Sequence, residues 1–294
     1  MSASAVLATA GQRVGTTVDG KYRITAILGM GGMGVVYEAD HLFLGRKVAL
    51  KVIHPRYEDG HEAQVRFLRE ARAAGIATHR TIVEVMDAGF VDGATPYLVM
   101  ERLVGESLRE RIARTRALRQ SHGLVVLVEL LKGLSAAHAK GVVHCDLKPE
   151  NVFLVDGVVE PGKVKILDFG VARLAEAGGV VAPGSKGGTP AYMAPEQMRG
   201  EPLDARTDLY AVGALLYESL AGEPPFALEP AATIYERVLG QKAPPLVGKR
   251  DHLAKPLVEL VASLLHKSPD GRPASAGVVL EGLEASGLLD DGPP

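Results

Sequence analysis

From Tyr22 the chain falls into short alternating runs. YRITAILG, GVVYEADH and KVALKVI set β-branched and apolar residues against polar ones, with glycines between them. A period of two with this enrichment predicts three strands. EAQVRFLREARAAGI changes the period. Val65, Leu68, Ala71 and Ile76 recur at helical spacings with charges between, and the run stops near Gly75. IVEVMDAGFVDGATPYLVME reads as two further strands around a VDGAT turn. After LVGE the helical period dominates. HGLVVLVELLKGLSAAHAKG predicts a long helix closed by Gly141. TDLYAVGALLYESLAG is apolar all round, which predicts a buried helix closed by Gly222. LAKPLVELVASLLHKS predicts a third, and NVFLV and KVKILDFG are strand-like pieces between the first two.

This order predicts an α+β chain in two lobes: a small antiparallel β lobe with one helix over residues 22–103, then a larger, mainly helical lobe over 104–286. A boundary between such lobes is where a ligand cleft is expected. Residues 1–21 are small and aperiodic and predict a flexible tail. Residues 287–294, ending LDDGPP, predict a frayed tail or the start of a linker.

Composition narrows the class. The 294 residues are 47% hydrophobic and 23% charged, as expected of a soluble globular chain rather than a disordered one. Lys+Arg 33 against Asp+Glu 35 gives a net charge of −2, which argues against nucleic acid as a partner. The single cysteine, Cys145, excludes an internal disulfide and a cysteine-built zinc site, and fits a reducing cytoplasmic setting. No apolar run reaches the roughly 20 residues of a membrane span. The opening MSASAVLATAGQ has no positive n-region, so no signal peptide is expected.

Three stretches carry candidate chemistry. In LGMGGMGVVY, Gly29, Gly31 and Gly34 fit G-x-G-x-x-G. A dinucleotide fingerprint should open a helix, whereas VVYEA reads as a strand. A glycine loop between antiparallel strands fits a cover over phosphates, and equally a plain hairpin. In VALK, Lys51 sits in an apolar strand, where an ammonium needs partners. A phosphate and the mid-helix Glu70 would supply them; alone, each residue also reads as solvated surface. In DLKPEN and KILDFG, Asn151 and Asp168 offer the oxygen ligands that Mg²⁺ prefers. That leaves Asp146 to take a hydroxyl proton and Lys148 to neutralise a transferring phosphoryl group. A turn at Asp168 and a loop carboxylate at Asp146 are the plainer alternatives.

Together GMGGMGVV, VALK, Glu70, HCDLKPEN, DFG, GTPAYMAPE and Arg272 resemble the motif set of a protein kinase, in order from about Tyr22 to Leu283. The wording is most similar to bacterial Hanks-type serine/threonine protein kinases. The resemblance implies ATP with Mg²⁺ or Mn²⁺ and protein substrates bearing Ser or Thr. It places Gly29, Gly31 and Gly34 over the phosphates, with Leu28, Val36, Ala49 and Phe153 around adenine. Lys51 would bind the α- and β-phosphates and pair with Glu70. Met100 would be the gatekeeper, Glu101, Arg102 and Leu103 the hinge, and Glu106 a ribose contact. Asn151 and Asp168 would hold metal, Asp146 would be the catalytic base, and Lys148 marks Ser/Thr specificity. Thr189 would bond to both Asp146 and Lys148. Glu196 would pair with Arg272, Asp208 would hold the catalytic-loop backbone, and His144 would pack near Phe169. Homodimerisation through the small lobe, and a place as the cytoplasmic part of a longer membrane-anchored protein, are expectations of the resemblance alone.

One position departs from the pattern. His144-Cys145-Asp146 stands where most such kinases read His-Arg-Asp, and that arginine usually meets a phosphate on the activation segment. Between Gly170 and Gly187 the one hydroxyl is Ser185. The expectation is a kinase independent of activation-loop phosphorylation. As a thiolate, Cys145 is disfavoured by its neighbour Asp146, so packing is the simpler role. The competing readings are an ATP-binding pseudokinase scaffold, a small-molecule phosphotransferase and a dinucleotide oxidoreductase. The first is opposed by the presence of Lys51, Glu70, Asp146, Asn151 and Asp168 together.

Overall fold

The computed structural model describes residues 11–31, 34–53, 61–169, 173–174, 189–226, 231–249 and 252–289, with backbone alone at 61–64, 66, 69–70, 173–174 and 231–232. The chain divides into two compact units, residues 1–75 with 83–103, and residues 76–82 with 104–294.

In the first unit, strands β1 (Thr17–Val18), β2 (Tyr22–Gly31), β3 (Gly34–His41), β4 (Arg46–Ile53), β5 (Val85–Val91) and β6 (Thr95–Glu101) form one antiparallel sheet in the order β1-β2-β3-β4-β6-β5. Asp92 and Gly93, both at positive φ, turn β5 into β6. Alternation along the strands buries one face. Tyr22, Ile24, Val35, Tyr37, Val48, Leu50, Val52, Tyr97 and Val99 belong to a single core cluster.

Two expectations change here. The tail read over residues 1–21 already pairs with the sheet at Thr17–Val18, and Val18 is buried in the core cluster; a lone apolar residue between small ones gives no periodic signal. Helix α1 (His61–Ile76) forms where read, but Val65 and Leu68 are 42% and 47% exposed while Phe67, Ala73 and Ala74 are buried. The buried stripe is drawn by an aromatic, which meets Phe90 at 5.4 Å, and by alanines rather than by the larger aliphatics.

Residues 76–82 leave the small lobe to which the sequence assigned them. Ile82 bridges Ile166, Thr81 O accepts from Ile166 N at 2.7 Å, and Lys140 Nζ caps Ile76 O at 2.9 Å. These contacts tie the segment to the second unit.

The second unit carries α2 (Leu108–Thr115), α3 (Gln120–His138), α4 (Pro195–Arg199), α5 (Ala205–Ala221), α6 (Ala231–Gly240), α7 (Lys255–Leu264) and α8 (Ala276–Ala285). Helix α5 is buried along nearly all its length and ends at Gly222 in the left-handed region, as its uniform apolarity implied. It packs on α3 and α7, and α3 packs on α8. Strands β7 (Gly105–Ser107), β9 (Val152–Val155) and β10 (Val164–Ile166) make a small antiparallel sheet in the order β10-β9-β7. The two-residue strands β8 (Val142–Val143) and β11 (Arg173–Leu174) pair beside it in sequence. The loop from His144 to Asn151 therefore runs between β8 and β9, with a fixed strand at each end.

Candidate active site

In the first unit the candidate residues share one sheet face. Register puts Gly29, Val36, Lys51 and Leu98 in one row across β2, β3, β4 and β6, and Glu38, Ala49 and Met100 in the next. Neighbouring residues on each strand, Val35, Leu50 and Val99, belong to the core cluster. Period-two alternation thus sends Val36, Ala49, Lys51 and Met100 to the opposite face. Lys51 is 7% exposed, a buried cation among apolar neighbours. Glu70 lies in α1, and its side chain falls outside the described residues.

The glycines are not equivalent. Gly34 has φ +155°, and a Cβ there would lie 2.1 Å from Val52 O, so the fold itself requires glycine. A Cβ at Gly29 or Gly31 would meet nothing within 4 Å among the described residues.

Leu28 is exposed where the β2–β3 register shifts between Ile27 and Gly29. At the end of β6, Glu101 exchanges hydrogen bonds with Glu84: its N–H donates to Glu84 O at 3.0 Å, and its Oε1 accepts from Glu84 N at 2.9 Å. Arg102 Nε donates to Glu38 Oε2 at 3.0 Å, which pins the segment before Leu103.

In the second unit a buried carboxylate organises the His144–Asn151 loop. Asp208, in the first turn of α5, accepts from His144 N at 2.8 Å, Cys145 N at 2.9 Å and His138 Nε2 at 2.8 Å. Burial alone would raise its carboxyl, yet His138 and the His144 N–H hold it below the ordinary value. Gln197 Nε2 binds Cys145 O at 2.8 Å from the other side. Cys145 and Asp168 both adopt positive φ, +63° and +55°, a strained conformation for residues other than glycine. His144 connects them. Its Nδ1 accepts from Asp146 N at 3.2 Å, which fixes the tautomer, and Nε2 donates to Leu167 O at 2.9 Å. Its ring meets Phe169 edge-on at 4.6 Å, the packing expected from the sequence.

Asp146 is 7% exposed. Its Oδ2 accepts from Lys148 Nζ at 2.8 Å, with Asn151 Nδ2 at 3.4 Å. Asn151 Nδ2 also donates to Asp146 O at 2.8 Å, and Asn151 O accepts from Leu167 N at 2.8 Å. This leaves Asp146 Oδ1 and Asn151 Oδ1 without a hydrogen bond from any described residue. Among the described residues no group of three or more His, Cys, Asp or Glu can hold a metal. Asn151 and Asp168 carry oxygen donors of the kind that a hard cation takes together with phosphate and water.

Thr189 lines one recess with Asp146, Lys148, Tyr192 and Met193. Among the described residues its hydroxyl makes no hydrogen bond to Asp146 or Lys148, which bond to each other at 2.8 Å. Glu106 is likewise engaged: its Oε1 accepts from Arg111 Nε and Arg114 Nη2, each at 2.7 Å. Burial pushes this carboxyl up, but the two arginines hold it below the usual range. Phe153 lies in β9, paired with Ser107 and Lys165.

Glu196 and Arg272 form a bidentate pair at 2.7 and 2.8 Å. The sequence pointed to that pair through the APE stretch. It gave no sign of Gln197 on Cys145 or of His138 on Asp208, whose partners stand 52 and 70 residues away.

The protein kinase domain family matches residues 22–281. The chain is 37% identical over 278 residues to the serine/threonine-protein kinase pkn3 of Myxococcus xanthus, covering 92% of this chain and 51% of that protein. It is 36% identical over 277 residues to PknA of Mycobacterium tuberculosis, covering 93% and 63%. Its identity to PknL of the same species is 38% over 268 residues, covering 91% and 66%. The chain thus spans about half to two thirds of the length of these curated relatives. Among the described residues no helix is long and apolar enough to cross a membrane. With a β-sheet unit, a helical unit and this catalytic-loop geometry, the chain belongs to the protein kinase domain family.

Proposed function

We propose that this chain transfers the γ-phosphoryl group of ATP to Ser or Thr hydroxyls of protein substrates. The observation that carries the reading is the asymmetry of Asp146: one carboxylate oxygen is tied to Lys148, while Oδ1 has no donor among the described residues. A Ser or Thr hydroxyl oxygen attacks the γ-phosphorus in line. The bond from phosphorus to the β–γ bridging oxygen breaks, ADP leaves, and the hydroxyl proton passes to Asp146 Oδ1. Lys148 neutralises charge on the moving phosphoryl group. Lys51 holds the α- and β-phosphates and pairs with Glu70. Val36, Ala49, Met100 and Phe153 contact adenine, with the backbone of Glu101 and Leu103 as its hydrogen-bonding edge. Asn151 and Asp168 hold Mg²⁺ or Mn²⁺, which supplies charge neutralisation at the phosphate oxygens. Because the transition state is loose, positioning and charge carry most of the catalysis.

The same reading makes activity independent of activation-loop phosphorylation. Cys145 offers no cation for a phosphate, and its Sγ turns back to within 3.8 Å of Val143 O. Ser185, the one candidate acceptor, lies outside the described residues. The test is phosphate transfer from labelled ATP with Mg²⁺ or Mn²⁺ to a generic protein substrate, before and after phosphatase treatment. Wild type is expected to keep its rate after treatment. Asp146→Asn should bind ATP yet lose about 10²-fold or more of turnover, the scale of general-base removal. Equal turnover by Asp146→Asn would refute the base. Collapse after phosphatase, reproduced by Ser185→Ala, would refute the independence. ATP binding with no transfer by wild type would favour a pseudokinase scaffold.

A further inference from the structure

Helix α2 begins with a capping box. Ser107 Oγ accepts from Glu110 N at 3.2 Å, and Glu110 Oε2 accepts from Ser107 N at 2.7 Å. Ser107 itself is held in β7, which pairs with β9 immediately after Asn151. The second residue of this helix, Arg109, is therefore placed by the strand that follows the catalytic loop.

All three guanidinium nitrogens of Arg109 are used. Nε donates to Glu150 Oε1 at 2.8 Å, Nη1 to Glu218 Oε1 at 2.5 Å and Nη2 to Tyr192 Oη at 2.5 Å. Tyr192 Oη in turn donates to Glu218 Oε2 at 2.5 Å, which closes a ring of three side chains. Burial, with the Glu218 carboxylate beside it, holds the Tyr192 phenol protonated far above its ordinary range. The four residues come from four places: α2, the turn that carries Asn151, the turn after Thr189, and α5. Glu150 adjoins Asn151. Tyr192 lies three residues after Thr189 and lines the recess that contains Asp146 and Lys148.

Charge explains why one arginine matters. Glu218 is 3% exposed, and among the described residues Arg109 is the only cation paired with it. Without the guanidinium, a buried carboxylate is left against a protonated phenol, and the tie from Tyr192 to the catalytic loop is gone. The side chains of Arg109 and Glu150 are 34% and 45% exposed, so this edge of the knot is open to solvent.

We propose that Arg109 is a positioning residue for the protein substrate: through Tyr192 and Glu218 it fixes residues 189–193 against the end of the catalytic loop, and so sets where the acceptor hydroxyl lies relative to Asp146. The inference rests on the kinase reading. It assigns Arg109 an effect on the protein acceptor and none on ATP, since none of its bonds reaches a residue assigned to the nucleotide.

The experiment compares wild type, Arg109→Ala, Arg109→Lys and Tyr192→Phe in two assays. One is phosphate transfer to a generic protein substrate over a range of concentrations. The other is ATP hydrolysis without protein. Arg109→Ala should raise KM for the protein about tenfold or more, the scale of one lost charge-assisted bond. KM for ATP and the rate of ATP hydrolysis should stay within about twofold of wild type. Tyr192→Phe, which keeps the ring, should shift KM in the same direction. Arg109→Lys, which keeps the charge but not the fork, should fall between wild type and Ala. Should Arg109→Ala fail to fold, Arg109→Lys and Tyr192→Phe carry the test. Parallel loss of transfer and hydrolysis, or an unchanged protein KM, would overturn the inference and leave the kinase reading standing. A wild-type chain inactive in both assays would overturn that reading, and this inference with it.

Discussion

The Glu196–Arg272 pair permits a stability prediction worked from its geometry. Both side chains are sealed, at 2% and 0% exposure. Arg272 gives both nitrogen termini to Glu196 and further bonds to His266 O at 2.8 Å, Arg206 O at 2.9 Å and Lys267 O at 3.2 Å. Its plane stands 4.9 Å over Tyr210. Arg272→Met keeps most of the stem but strands the Glu196 carboxylate with one neutral donor, Thr207 Oγ1 at 3.0 Å. Breaking a buried pair from one side costs about 3–5 kcal/mol. For a chain of this size each kcal/mol lowers Tm by roughly 2 °C, so a fall of about 6–10 °C is expected. Glu196→Gln should cost less, because Arg272 keeps its three carbonyls and the ring face. The double variant removes both charges and should be more stable than Arg272→Met alone, with a coupling of about 2 kcal/mol. Urea unfolding followed by circular dichroism, with parallel calorimetry, measures all four proteins. Costs that add within about 0.5 kcal/mol would refute a shared desolvated pair, as would a loss below about 1 kcal/mol for Arg272→Met.

Two further perturbations follow from the structure. The Lys267 amine is buried without a hydrogen bond to any described residue, 4.1 Å over the Phe226 ring. Burial, then Arg272 and Arg199, push it down to about 8. An unfolded lysine keeps its proton to about 10.4, so between these values the unfolded state binds more protons and stability rises with pH. After discounting for the partly buried side chain, the gain is about 1–2 kcal/mol. Lys267→Met should be about 1 kcal/mol more stable than wild type near neutral pH and should lose this rise; urea midpoints on either side of the window decide, and a flat wild-type profile rejects the assignment. In the glycine loop, Gly34→Ala should cost about 1–3 kcal/mol through its clash with Val52 O. Gly29→Ala and Gly31→Ala should leave Tm unchanged but reduce the thermal shift produced by ATP, and an undiminished shift would reject phosphate contact there.

What the sequence made legible was local. Strands β2 to β6 follow from alternation, α3 and α5 from their apolar runs, the end of α5 from Gly222, and Asp146, Asn151 and Asp168 stand out as candidates in short stretches whose residue types have few other uses together. Two kinds of feature were not legible. The first is burial by small residues: Ala73 and Ala74 carry the inner face of α1, but alanine gives too little contrast to outweigh Val65 and Leu68 in a periodicity. The second is pairing at long range. Arg109 stands in a run dense in basic residues, RERIARTRALRQ, and nothing local singles it out, because its partners Tyr192 and Glu218 stand 83 and 109 residues away. The arginines that hold Glu106, Arg111 and Arg114, are by contrast only 5 and 8 residues away, on the helix that follows it.

The cysteine at position 145 makes sense once the forces on its loop are separated. A residue at φ +63° is held there against an intrinsic cost of about 1–3 kcal/mol. Three contacts that oppose this cost act on backbone: Asp208 grips the N–H groups of His144 and Cys145, and Gln197 grips the Cys145 carbonyl. The path from this strained residue to the strained Asp168 also runs through backbone and ring atoms, from Asp146 N to His144 to Leu167 O. None of these bonds uses the side chain at 145. The positions of Asp146, Asn151 and Asp168 therefore do not depend on an arginine there. An arginine at that place would add a receptor for a phosphate, and a cysteine removes the receptor while leaving the loop as its backbone contacts fix it. On the proposed phosphorylation-independent reading, the residue at 145 would therefore act on switching alone, through a side chain that these hydrogen bonds do not use.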